Sequence, residues 1–300
     1  MAENPGEGQE VRLAFRIGYL GTAFYGSQYQ PDQRTVEGEI TAACLRAGLI
    51  GDRTEARLAL SGRTDRGVHA RCQILSFTTN NPERAVRALN GQFPPDIWAT
   101  SWTEVHPGFY PRYDVINRTY RYYFGMVPGD VCLMKDAAAL FTGVHDFSCF
   151  ARIEPGKIPV KTIDRIGIFR DDSWCWLEIT AQSFLWHMVR CIASSLLSVA
   201  GRTLTCRDLE ILLEGTCKNK VKPAEPDGLI LWDVTTDLAW KSMPIPGLKK
   251  ERLRREAMHL HLMGRIHDLL YPDKEENSLS PGIRSPGVEK GTGYRSDSTF

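Results

Sequence analysis

The sequence predicts an α+β protein made of two halves, each a mainly antiparallel sheet backed by helices. Period-two alternation marks strands on both sides of residue 108, and short capped helices fall between them. The order β-α-β-β-α-β of the first half then begins again after Gly108. A chain of 300 residues, 42% hydrophobic and 24% charged, has the length and composition for two packed cores. The expected division is 11–107, 108–246, and an extension over 247–300.

Val11, Leu13, Phe15, Ile17 and Tyr19 alternate with Arg12, Ala14, Arg16 and Gly18, the period of a half-buried strand. A glycine-rich loop follows. Thr35 can then cap a helix with Glu37 and Glu39 in its first turn, an apolar face of Val36, Ile40, Ala43, Cys44 and Ala47, and a stop near Gly48. ARLAL at 56–60 and CQILSF at 72–77 predict two strands. Asn81-Pro82 opens a short helix, and WATSWTEV closes the first half as a strand. In the second half, RTYRYYF, KTIDRIGIFR and WCWLEITAQ predict strands, with a helical stretch around Asp136 to Phe141. SFLWHMVRCIASSLLSVAGR predicts one long helix, with His187 and Arg190 on its polar stripe. LILWDVT ends the core. Leu248 to Leu270 predicts a basic amphipathic helix, and the Ser-, Gly- and Pro-rich tail after it predicts disorder.

A formal charge of +1 means that any attraction to nucleic acid must come from local clusters. Arg63, Arg66 and Arg71 form one, Arg112, Arg118 and Arg121 a second, and KKERLRR at 249–255 a third. The eight cysteines stand singly, without metal-ligand spacing, and predict reduced thiols in a cytoplasmic protein. No stretch predicts a signal peptide or membrane span. With neither a P-loop nor GxGxxG, no cofactor or metal is expected.

Three stretches carry candidate chemistry. LSGRTDRGVHAR at 60–71 joins two strands and sets Asp65 among arginines and glycines. Local spacing leaves a simple turn and a functional carboxylate both open. Arg190 is a cation in a mostly apolar helix and needs a partner, either a structural carboxylate or Asp65. FYPRYDVINRTYRYYF alternates aromatics with arginines, as core strands and base-stacking sheets both do. His69 and His145-Asp146 lack a third ligand or a nucleophile, which favours local hydrogen bonding over catalysis.

Taken together, YLGTAFYGSQYQ, TVEGEI, SGRTDRGVHA, ALNGQFPPDI, Arg112 with Tyr120, GVHDFSCF, FLWHMVRCI and GLIL resemble the TruA family of tRNA pseudouridine synthases, in family order over residues 13–235. The resemblance implies a cofactor-free isomerase that detaches uracil from its ribose, rotates it and rejoins it through carbon. It implies two ferredoxin-like (RRM-like) halves sharing one continuous sheet, helices on one side, and an active-site cleft between the halves. Asp65 matches the catalytic aspartate, Arg190 its ion-pair partner and Tyr120 the tyrosine that stacks on the target base; Arg63 and Arg112 are implied RNA contacts. The partner implied is the tRNA anticodon arm near positions 38 to 40, bound by a homodimer in bacterial members. Leu20 replaces the family's loop aspartate, Ser194 a common helix glycine, and the tail after Pro246 has no counterpart. A non-catalytic RNA-binding protein on the same scaffold, and a phosphate-cradling hydrolase or transferase, are the competing readings.

Overall fold

The computed structural model of the chain describes residues 10–125, 129–171, 174–217 and 219–270. The tail expected to be disordered begins at 271, outside the described residues. The chain divides into a main unit ending at Leu253 and a second beginning at Arg254.

Residues 11–107 fold in the predicted order. Strand β1 (Val11–Tyr19) leads to α1 (Val36–Arg46), the short β2 (Ala59–Leu60), the long β3 (His69–Thr79), α2 (Pro82–Gln92) and β4 (Ile97–Val105). α1 starts where expected because the Thr35 hydroxyl accepts from Gly38 N. ARLAL shrinks to a two-residue strand, since only Ala59 and Leu60 pair with β3. β1 is not half-buried as its alternation suggests: it lies between β3 and β4, and Arg12 and Ala14 on its nominally polar side are 2% and 0% exposed. The Arg12 guanidinium survives burial by donating to Phe109 O, Arg57 O, Ser76 Oγ and Thr78 Oγ1. Burial, with help from Arg57, lowers its pKa to about 10.

The later chain runs β5 (Asn117–Tyr123), α3 (Val131–Ala139), β6 (Gly143–Asp146), β7 (Val160–Ile163), β8 (Arg165–Arg170), β9 (Cys175–Ala181), α4 (Met188–Ala200), α5 (Cys206–Leu213), β10 (Leu229–Thr235), β11 (Lys241–Ser242) and α6 (Gly247–Leu270). The stretch predicted as one strand, KTIDRIGIFR, is two. It breaks at Asp164: β7 leaves to pair with β6, and β8 pairs with β9. The long helix is also shorter than predicted, because residues 183–187 form an extended lead-in that ends in a left-handed His187.

Among the described residues the molecule is therefore mixed α+β, with six α-helices and a nine-stranded, mainly antiparallel sheet of order β11-β4-β1-β3-β10-β5-β9-β8, β2 pairing with β3 off that path. Strands from before and after residue 108 meet twice: β11 pairs antiparallel with the edge of β4, and β10 meets β3 in a short parallel contact, Ile230 opposite His69 and Leu231 opposite Ala70. The second junction positions the site. Between β1 and β3 the core holds Phe15 stacked on Phe77 at 5.4 Å, and in the later chain Phe141, Phe147 and Phe150 pack edge-on and stacked. No described helix is long and apolar enough to cross a membrane.

One sequence expectation fails outright. The cysteines are not all thiols: Cys149 and Cys217 form a disulfide across 68 residues, their Cα atoms 5.9 Å apart, while the other six are free. Their chain spacing carries no sign of it, because the pairing is made by the packing of the segment after α5 against the 148–150 turn.

Candidate active site

The loop that carries Asp65 leaves β2 and enters β3, and its neighbours hold it at both ends. Ser61 N donates to Ile74 O, Gly62 N donates to Gln73 Oε1 at 3.1 Å, and Gln73 Nε2 returns a bond to Gly62 O at 2.8 Å. Thr64 N donates to Ser27 Oγ at 2.8 Å while Ser27 N donates to Thr64 O at 3.0 Å, so the glycine-rich loop after β1 is laced to the Asp65 turn. The glycines of that loop are needed for closeness. A Cβ on Gly21 would lie 2.0 Å from Val68 O, and Gly26 has φ 95° with Thr64 O 3.0 Å from its Cβ position. Tyr19 completes the clamp with its hydroxyl 2.9 Å from Thr64 Oγ1, its pKa pushed to about 12 by burial.

α4 supplies the partner. Arg190 Nη1 donates to Asp65 Oδ2 at 2.8 Å, across 125 residues of sequence, with side chains 12% and 22% exposed. Its Nε donates to Ala224 O at 2.7 Å, and Ala224 N donates to Arg190 O, so the guanidinium is aimed from two sides. His187, at the start of the same helix, brings Nε2 to 3.6 Å from the same Oδ2. Tyr120, on β5, is 7% exposed; its ring meets Phe184 edge-on at 5.2 Å, and a Cβ on Gly62 would lie 3.9 Å from its hydroxyl. Burial, reinforced by Tyr19 and Asp65, raises its pKa.

The other predicted site residues disperse. Arg63 ion-pairs with Glu154 at 3.1 Å, with both side chains well exposed. Arg66 stacks on Tyr25, 4.2 Å from the ring centre, and Arg71 on Trp232 at 4.4 Å, so the first arginine cluster is not one patch. Arg112 is half-buried, and its side chain makes no hydrogen bond to a described residue, although its carbonyl accepts from Arg118 Nη2 at 2.7 Å. Arg121 pairs with Glu178 and stacks on Trp232.

Gln73 and Ser27 are participants that sequence reasoning missed; Arg118 and His187 it placed only in an arginine cluster and on a helix's polar stripe. Arg118 is 7% exposed and spends its donors on Ser61 O, Arg112 O and Gln182 O, tying the Asp65 loop to β5 and to the lead-in of α4. A sequence signal for this role is its place two residues before Tyr120, which puts both on one face of a strand.

His69, inside the same motif, is structural. Its Nδ1 accepts from Gly21 N at 3.0 Å, and burial lowers its pKa, with Asp227 pulling the other way. A cavity of about 800 Å3 opens beside the β3–β10 junction, lined by Tyr19, Leu20, His69, Arg71, Ile230 and Trp232 among others. None of Asp65, Tyr120 and Arg190 lines it. Leu20, at the family's aspartate position, faces that cavity.

Comparison with known proteins bears on the family of the chain. The family model described as tRNA pseudouridine synthase matches residues 137–237. The chain is 44% identical to tRNA pseudouridine synthase A of Methanoculleus marisnigri over 273 residues, 91% of this chain and 100% of that protein. It is 49% identical to tRNA pseudouridine synthase A of Methanosphaerula palustris over 83% of this chain and 89% of that one. With the Thermococcus sibiricus protein of the same name, identity is 38% over 87% and 99%.

Proposed function

The chain belongs to the tRNA pseudouridine synthase family, isomerases that act on tRNA, and on that premise we propose that Asp65 is the carboxylate that drives the isomerisation, with Arg190 as its charge partner and Tyr120 as the platform for the uracil. The observation that carries this reading is the 2.8 Å bond from Arg190 Nη1 to Asp65 Oδ2. A carboxylate held by a guanidinium through one oxygen keeps its charge and direction, and leaves the other oxygen for a substrate. Oδ1 takes no hydrogen bond from any described residue.

The uridine has to leave the RNA stack to reach Asp65, at a cost of a few kcal/mol. We place it beside the hydroxyl end of Tyr120, with Arg63 and Arg112 on the flanking backbone. Both guanidiniums are free for phosphate work, Arg63 by exchanging its exposed Glu154 contact, since surface pairs of this kind are worth under about 1 kcal/mol. The resemblance of the motif set supports uridines of the anticodon arm near positions 38 to 40, two ferredoxin-like halves over 11–107 and 108–246 with the site between them, a homodimer, and action in the cytoplasm.

Asp65→Asn is expected to abolish pseudouridine formation in unmodified tRNA while leaving tRNA affinity within a few-fold. Turnover retained by that variant would remove Asp65 from the mechanism, whereas no pseudouridine formed by the wild-type chain would return it to RNA binding alone. Mapping pseudouridines in tRNA from cells with and without the gene tests the anticodon-arm assignment.

A further inference from the structure

His187 has a backbone conformation that non-glycine residues rarely adopt. It stands at the start of α4 with φ 67°, a left-handed backbone that costs a non-glycine residue on the order of 1 kcal/mol or more. The usual return for an unusual residue at this place is a capping bond, and its side chain makes none. What the conformation achieves is an approach to Asp65: imidazole Nε2 lies 3.6 Å from Oδ2, beside the Arg190 guanidinium on the same oxygen. The ring is 28% exposed, so it touches both the carboxylate and water.

The isomerisation has a proton to dispose of. The C1′–N1 bond breaks and C1′–C5 forms; the proton on C5 must then leave, its bonding pair restoring the C5=C6 double bond, and N1 must gain a proton. Resting on the reading of Asp65 above, we propose that His187 is the relay for the C5 proton: Asp65 takes it from carbon, the neutral imidazole Nε2 accepts it from the carboxyl group and releases it to water, and N1 is protonated from water. No proton is gained or lost overall.

The charges around the ring suit this use. Asp65 faces it from the β2–β3 loop, Arg190 from α4, and Arg152, stacked on Trp186 at 4.3 Å, from the segment before β7. Burial lowers the pKa of His187, Asp65 opposes that, and the two arginines add to it. The imidazole is thus neutral near pH 7, able to accept a proton and poorly able to keep it.

The experiment follows single-turnover release of a hydrogen label from C5 of tRNA uridine against pH. It compares wild type with His187→Gly, His187→Asn and Asp65→Asn. Glycine suits φ 67°, so His187→Gly should melt at or above the wild-type temperature, which separates chemistry from folding. The expected results are a fall of about 100-fold in its rate with tRNA affinity unchanged, loss of the acid limb that wild type shows below the ordinary histidine range, and partial recovery with added imidazole. His187→Asn should lose the same limb. A variant rate within a few-fold of wild type, or a slow variant that keeps the acid limb and ignores imidazole, overturns the relay. Turnover by Asp65→Asn would instead overturn the reading on which the relay rests.

Discussion

At the scale of single residues, the site depends on side chains whose polar atoms are matched one by one. Arg190 divides its donors between Asp65 and Ala224 O, and Arg118 uses its own on three carbonyls, so one guanidinium holds a carboxylate and the other builds the frame. The sequence singles out Arg190, a cation in a mostly apolar helix, but leaves Arg118 in a surface-type arginine cluster, because the burial of its guanidinium is a tertiary outcome. His69 shows what such matching implies for pH. Its Nδ1 must stay unprotonated to accept from Gly21 N, and its pKa in the fold is below the ordinary 6.5. As pH falls below 6.5 the unfolded chain binds this proton before the folded one, so stability should fall with it. In His69→Asn, whose Oδ1 can replace the Nδ1 acceptor, thermal melts between about pH 7 and about pH 5 should lose part of that decline. An unchanged difference between the two pH values would show that His69 does not carry it.

At the scale of elements, loops are anchored by the first turns of helices. Val36 N and Glu37 N at the start of α1 donate to Gly26 O and Ser27 O, and Ser27 in turn exchanges bonds with Thr64 beside Asp65. The Thr35 cap therefore supports the site at one remove. Thr35→Ala is expected to cost about 1 kcal/mol and to lower the melting temperature by roughly 2 °C, with a larger loss of turnover than of stability because the Asp65 loop shares the anchor. Equal losses would uncouple α1 from the loop. α4 shows the limit of pattern reading. Its apolar period continues through Leu185, yet the helix starts at Met188, because Phe184 turns onto Tyr120 and Trp186 O accepts from Arg152 N. α6 was legible as a basic helix, and Met258, Leu260 and Leu262 on it are exposed.

At the scale of the whole molecule, a net charge of +1 gives no general pull on RNA, so binding must draw on local charge. Lys250, Arg252 and Arg254 are exposed at the start of α6, whereas Lys249 is committed to the carbonyls of Asn90, Phe93 and Ile97. Changing those three exposed residues to Gln should leave the melt unaltered and reduce the slope of log affinity against log salt by up to about 0.9 for each phosphate no longer neutralised. An unaltered slope would show that the segment does not touch tRNA. By itself, the sequence determined what short-range patterns encode: the order of strands and helices over residues 11–107, the cap of α1, the proline that opens α2, and the motif around Asp65 that marks the family. Tertiary structure decided the rest. Burial of both faces of β1, the disulfide between Cys149 and Cys217, the dispersal of Arg63, Arg66 and Arg71, and the meeting of His187 with Asp65 are contacts between segments tens to more than a hundred residues apart. Periodicity reports which side of an element is apolar, but not what a distant segment will lay against it, and this site is made almost entirely of such distant approaches.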